Sequence, residues 1–310
     1  VRVAVVDIGT NSTRLLVADV AQDLRVADLY RESIVTRLGE GVDVAGRLAD
    51  APMQRVFDVL GRYRRVIDEH GATRTAAVLT SAVRDAANGA EFTNRVRERY
   101  ALDARTIDGE EEAALTFAGA TSERPHDGAE VAVVDIGGGS TEFVVGCDGV
   151  VDFHVSTQAG VVRQTERHLH DQDPPSGEGL QGLAAEVQEI FEGAVPEHLR
   201  ARVQTAIAVA GTATQCAAIE LELDPYDPAR VHGHALQLAT CELLLARLAQ
   251  MTDSQRRDVT GLHPDRAPTI VAGIAMLIEA MRAFGLDRVE VSEHDILRGA
   301  ALSLASRETP

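Results

Sequence analysis

Residues 3 to 18 read VAVVDIGTNSTRLLVA and residues 131 to 146 read VAVVDIGGGSTEFVVG, sharing ten of sixteen positions at an offset of 128. Two copies are too few for a solenoid, which needs at least three repeats, so they place one supersecondary unit near the start of each half of a duplicated chain. The residues after each glycine turn decide which unit it is. Rossmann and phosphate-loop units run strand, glycine loop, helix. Here TRLLVADV and TEFVVGCDGVV are apolar and β-branched and end in turn-formers, so each predicts a second strand. The unit is a hairpin whose tip offers successive backbone amides and hydroxyls, the arrangement of an anion-binding nest. Asp7 and Asp135 end the first strand of each copy, placed to face whatever the tip holds.

At 310 residues the chain has room for two ordinary domains. The polar stretch ERPHDGAE, residues 123–130, marks the division, and domains over 1–120 and 121–310 are expected. All 30 basic residues are arginine. Without lysine, a phosphate-loop NTPase and a Schiff-base enzyme are both excluded, and any phosphate must be held by amides, hydroxyls, arginines and metal. A net charge of −18 argues against nucleic-acid binding, which depends on a basic surface. The longest apolar stretch, TIVAGIAMLIEAM, is too short for a membrane span and carries Glu279. With no signal sequence, and with Cys147, Cys216 and Cys241 lacking CxxC spacing, a cytoplasmic protein with buried thiols is expected.

Between the hairpins, LRVADLYRESIVTRLG predicts a third strand, and Met53, Val56, Leu60, Tyr63 and Ile67 mark a helix over 50–70. TAAVLTSAVRDAAN reads as a buried strand running into a loop, GAEFTNRVRERYA as a helix, DARTID as a short strand, and GEEEAALTFAGATS as a helix with an acidic first turn. The second half repeats the plan, with TAIAVAGTATQCAAI as strand, small-residue loop and helix, and RVEVSEHDILRGAALS as the last strand and helix.

The paired D-x-G hairpins resemble the actin-like ATPase and sugar-kinase superfamily. Within it, DIGTNSTRLLV, TSAVRDAAN, DGEEEA, DIGGGSTEFV and AGTATQCAAI stand in the order of the exopolyphosphatase/guanosine pentaphosphate phosphohydrolase (Ppx/GppA) family. The resemblance runs from the first strand to SEHDILRGAAL and implies an α/β protein of two ribonuclease H-like domains flanking a central cleft. It also implies a homodimer. Longer relatives add C-terminal helical domains, and a two-domain form without them is expected here.

In such a site the first tip would hold phosphate through Thr10, Asn11, Ser12 and Arg14. The second would let backbone approach phosphate at Gly137, Gly138 and Gly139, with Ser140 and Thr141 adding hydroxyls. Glu142 stands where the first copy has Arg14. A carboxylate repels phosphate, so its role is that of a handle for metal or water. With Asp7 and Asp135 it forms a candidate ligand set for Mg²⁺ or Mn²⁺. In DGEEEA, Glu110 and Glu111 read as ordinary first-turn acids facing water. The resemblance makes Glu112 the catalytic base, places Arg84 beside the phosphates, and likens Gly211 and Thr212 in AGTAT to a nucleotide loop. Val161 stands where relatives commonly have Ser or Cys, so phosphate contact near Arg163 is not expected. The pairs His168/His170 and His232/His234 have no third ligand nearby in sequence and are read as non-metal.

The expected activity is Mg²⁺-assisted removal of the terminal phosphate of inorganic polyphosphate. Short chains are expected to be preferred, because a charge of −18 opposes a long polyanion. The nucleotide pppGpp, losing its 5′ γ-phosphate, is the rival substrate. A kinase of the same superfamily is expected to be longer. A non-catalytic phosphate or nucleotide sensor would have no use for Glu112 and Glu142.

Overall fold

The computed structural model describes residues 1–125 and 127–306. His126, within the expected linker, lies outside them. The chain divides into two compact units, the first made of Val1–Ser122 with the segment from Asp295 onward, the second of Glu123–His294.

In the first unit, β1 (Arg2–Ile8), β2 (Ser12–Val20) and β3 (Val26–Val35) form an antiparallel meander, and β4 (Arg74–Leu79) and β5 (Asp103–Thr106) extend β1 in parallel. The sheet order is β3-β2-β1-β4-β5. Both faces of β1 are buried, which is why it reads as an unbroken apolar run. Ala4, Val6 and Ile8 join one core with Met53, Val56, Phe57, Leu60, Tyr63 and Ile67 of the Asp50–His70 helix. Val3 and Val5 join the other, with Leu115 of the Gly109–Ala120 helix and Ile296, Leu297, Ala300 and Leu304 of the last helix, Ile296–Ser306.

The second unit repeats this plan. β6 (Val131–Ile136), β7 (Thr141–Cys147) and β8 (Val150–Thr157) form the meander, and β9 (Thr205–Val209) and β11 (Arg288–Val291) the parallel extension. β10 (Ala235–Gln237) adds one antiparallel edge strand, giving the order β10-β11-β9-β6-β7-β8. Even the irregularities coincide: the β2–β3 ladder shifts register between Val17 and Ala18, and the β7–β8 ladder between Val145 and Gly146, the same positions of the two copies. The helix Ile270–Ala283 is buried along nearly its whole length, which accounts for its apolar sequence. Two ribonuclease H-like domains are what the family resemblance implies.

Three local expectations are corrected. The segment after β4 is a short helix, Ser81–Asp85, rather than a loop. AGTAT is no loop either, because β9 runs directly into the helix Ala210–Glu220 through Ala210 at φ 63°. The expected second domain, 121–310, loses its last helix to the first unit. That helix passes so close to Gly109–Ala120 that a Cβ on Gly299 would strike the Leu115 backbone, and one on Gly119 the backbone of Asp295 and Gly299. Of the three cysteines, Cys216 and Cys241 are buried and Cys147 is half-buried, all as free thiols. Among the described residues no helix is long and apolar enough to cross a membrane.

Candidate functional site

The two hairpin tips close in the same way: Gly9 N–H donates to Ser12 O and Gly137 N–H to Ser140 O, both at 3.0 Å. In each unit the segment after the third strand then takes up the tip's carbonyls. Gly39 N–H donates to Thr10 O, and Thr36 and Arg37 N–H both donate to Asn11 O. In the second unit Val161 and Val162 N–H donate to Gly137 O and Gly138 O, each at 2.9 Å. A Cβ on Gly160 would collide with the backbone of Gly138 and Gly139, so the glycine tip is seated directly on this residue. With carbonyls occupied, each tip is left with its amides. Among the described residues, those of Thr10, Asn11, Gly138 and Gly139 donate to no other group of the chain. That is the chemistry of an anion nest.

The hydroxyls are less available than the sequence suggested. Thr10 Oγ1 lies 3.0 Å from Ser81 Oγ, and Thr141 Oγ1, fully buried, donates to Ala159 O at 2.7 Å. Thr141 therefore fixes the turn rather than offering its hydroxyl to phosphate. Ser12, Asn11 and Ser140 are buried at their tips.

In the first copy, residue 7 pairs across the ladder with residue 14, and Arg14 Nε and Nη2 lie 2.8 and 2.6 Å from Asp7 Oδ2. Arg14 also pairs with buried Asp295, which the last helix brings in, and Arg31 lies 3.4 Å from the same carboxylate. The Arg14 guanidinium is thus held between two carboxylates before it meets any phosphate. Burial pushes the Asp7 carboxyl above its ordinary value, against the pull of Arg14. Burial would raise Asp295 too, but Arg14 and Arg31 hold it below the usual range. Asp7 Oδ1 is buried without a hydrogen-bond partner among the described residues, a donor suited to a cation or a water.

The second copy sets Asp135 opposite Glu142 on the ladder, where the first has its aspartate–arginine ion pair. Directly opposed like charges destabilise a strand pair. Ser156, next across the sheet, donates to Glu142 Oε1 at 2.8 Å and orients it. A pair of opposed carboxylates beside an amide nest fits Mg²⁺, which binds through one or two carboxylates plus substrate phosphate and water.

Three successive glutamates begin the Gly109–Ala120 helix, and the 100° step between residues separates their fates. Asp108 caps the helix by accepting from Glu111 N–H at 2.8 Å. Glu110 is exposed and Glu111 pairs with Arg105. Glu112 alone turns inward and is buried, with Oε2 accepting from Arg84 Nη1 at 2.9 Å. Arg84 stands on the helix after β4 and is steadied by Ile107 O at 3.2 Å. Burial raises the Glu112 pKa above its ordinary 4.5, and the hydrogen bond and charge of Arg84 act to lower it. Arg84→Met removes the main opposition to burial, so the acid limb of the pH–rate profile should move to higher pH. An unmoved limb in a folded variant would show that Glu112 does not set it.

Gly211 and Thr212 do not form an open loop. They lie in the first turn of the Ala210–Glu220 helix, and the Arg266 guanidinium occupies the space a Cβ on Gly211 would need. The glycine serves that arginine, which sequence reasoning missed, as it missed Gly160 and Asp295. Of the histidines, His168 lies 2.7 Å from Glu186, and His234 2.7 Å from Glu220.

The model of the Ppx/GppA phosphatase family matches residues 16–308. Exopolyphosphatase 2 of Mycobacterium tuberculosis is 39% identical over 316 residues, covering 98% of both chains. Among solved structures, the Ppx/GppA family member of Aquifex aeolicus is 31% identical with a TM-score of 0.81 over 99% of both chains. An exopolyphosphatase of Cytophaga hutchinsonii is 26% identical with a TM-score of 0.88, again over 99% of both. With its duplicated hairpins, its buried glutamate and a match along nearly its whole length, the chain belongs to the Ppx/GppA phosphatase family.

Proposed function

We propose that the protein is an exopolyphosphatase, which cleaves the terminal phosphoanhydride of inorganic polyphosphate. The observation that carries this reading is Glu112: a buried carboxylate of raised pKa, held by an arginine, on a unit that also presents an amide nest. In the reaction, Glu112 takes a proton from water as the water oxygen bonds to the terminal phosphorus. The bridging P–O bond breaks, and orthophosphate leaves a chain one phosphate shorter. A raised pKa makes Glu112 a stronger base for the proton it takes from water. Arg84 orients it and offers donors to phosphate oxygens. The amides of each tip can hold phosphate oxygens, and the candidate holders of Mg²⁺ or Mn²⁺ are Asp7 in the first unit and the opposed Asp135 and Glu142 in the second. When bound, the metal supplies charge to the phosphoryl oxygens and the leaving group. The relatives named exopolyphosphatase support the substrate class.

The test is phosphate release from tripolyphosphate, longer polyphosphate, pppGpp and ATP with Mg²⁺. Release from polyphosphate is expected. Release from pppGpp alone would keep the chemistry and change the substrate, and release from none would favour a sensor.

The charge of −18 sets a further expectation. At low ionic strength, kcat/KM per chain end should fall from tripolyphosphate to long polymers, and the gap should narrow with added salt as repulsion is screened. Activity that rises with chain length would remove electrostatics as the determinant of length preference.

A further inference from the structure

Three side chains distant in sequence come together in the second unit. His232 Nε2 lies 3.8 Å from Glu123 Oε2, and His294 Nδ1 lies 3.9 Å from the same oxygen. The two imidazole centroids are 4.1 Å apart, and the three donor atoms all lie within 4.8 Å of one another. The separations are informative beside the other histidines. His168 and His234 meet their glutamates at 2.7 Å, as ordinary hydrogen bonds. At 3.8 and 3.9 Å, His232 and His294 are too far from Glu123 for a hydrogen bond. They are close to the spacing of ligands around a shared ion. Zinc bonds of roughly 2.0–2.2 Å set tetrahedral ligand edges near 3.4 Å, so each histidine closes on Glu123 by about half an ångström and no pair of ligand atoms closes by more than about 1.4 Å. Glu123 is exposed and can make that adjustment.

The surroundings hold the His232 ring and the His294 backbone. Ser292 Oγ lies 3.4 Å from His232 Nδ1 and accepts from His294 N–H at 2.9 Å, so one hydroxyl braces both histidines. Glu293 N–H also approaches His232 Nδ1, at 3.3 Å. In the structure Nδ1 accepts from Glu293 N–H, whereas a metal on Nε2 requires the proton on Nδ1, so binding exchanges the Glu293 contact for one from Nδ1–H to Ser292 Oγ.

We propose that Glu123, His232 and His294 form a binding site for a divalent transition metal, Zn²⁺ foremost, separate from the Mg²⁺ ligands of the phosphate site. Two imidazoles and one carboxylate suit zinc, with water in the remaining position. Glu123 opens the second unit and His294 closes it, so the ion fastens the chain where it enters and leaves that unit. Its role is to stabilise, by binding the folded state alone.

The test uses untagged, chelator-treated protein in excess Mg²⁺, titrated with Zn²⁺ by calorimetry and with Co²⁺ by visible absorption. One equivalent should bind, Co²⁺ should give the intense spectrum of low coordination with nitrogen ligands, and Zn²⁺ should raise the melting temperature by several degrees. His232→Ala should lose the spectrum and the thermal shift while keeping its Mg²⁺-supported phosphate release, and Glu123→Gln should weaken binding at least tenfold. Glu142→Gln should bind Zn²⁺ as the wild type does. The proposal is overturned if the wild type binds no Zn²⁺. It is equally overturned if His232→Ala binds it unchanged, or if only Glu142→Gln loses it, since the ion then belongs to the phosphate site.

Discussion

Glu112→Gln should lower phosphate release from polyphosphate by about 10²–10⁴-fold, the range a positioned general base contributes. The substitution keeps shape and lets an amide oxygen accept from Arg84, so substrate affinity should change far less than turnover. Stability separates this outcome from simple damage. The folded state raises the Glu112 pKa, chiefly through burial. Above both pKa values the folded protein therefore carries a buried charge that the unfolded chain would expose to water. The folded state binds the proton more tightly than the unfolded state, so this group's contribution to stability falls as pH rises through its pKa. Removing the charge should leave the melting temperature at pH 8 unchanged or higher. A variant both inactive and markedly less stable would mean that Glu112 mainly holds the helix. A stable variant with wild-type turnover would remove it as the base.

Glu112 was singled out by the family resemblance, and the structure adds that it alone of the three glutamates is buried. The same three-residue acidic run predicts an N-terminal turn, and the helical step leaves one glutamate facing inward. The hairpins were legible because their periodicity is strong and stated twice. Other parts depend on contacts that no local pattern encodes. Asp295 stands 281 positions from Arg14, yet together they form a buried ion pair. The last helix reads as a continuation of the second half, and only its packing through Gly119 and Gly299 assigns it to the first unit. Arg266 over Gly211 explains why a small residue stands there, whereas a glycine in a sequence says only that something comes close. The histidine pairs carry no information by proximity alone: His232 lies beside Glu123 and His294, while His234 bonds Glu220.

The duplication also supplies its own control experiment. At one ladder position the first copy pairs Asp7 with Arg14, and the second sets Asp135 against Glu142. The flanking strand offers a serine in both, Ser33 opposite Arg14 and Ser156 opposite Glu142. The second unit can therefore accept an arginine at position 142 in a setting the chain already uses. Glu142→Arg should fold, with residue 142 paired to Asp135 as Arg14 is to Asp7, and should melt no lower than the wild type. Its turnover should nevertheless fall by roughly 10²–10³-fold, the scale of losing one preorganised electrostatic group. Residual activity should no longer respond to Mg²⁺, because the pair that fits the ion has become an internal salt bridge. Polyphosphate affinity should persist, since an arginine beside an amide nest attracts phosphate. That split, with kcat lost and binding kept, would assign Glu142 to the metal and not to the substrate. An active variant with unaltered Mg²⁺ dependence would show that the ion is held without Glu142, and the opposed carboxylates would then need another explanation.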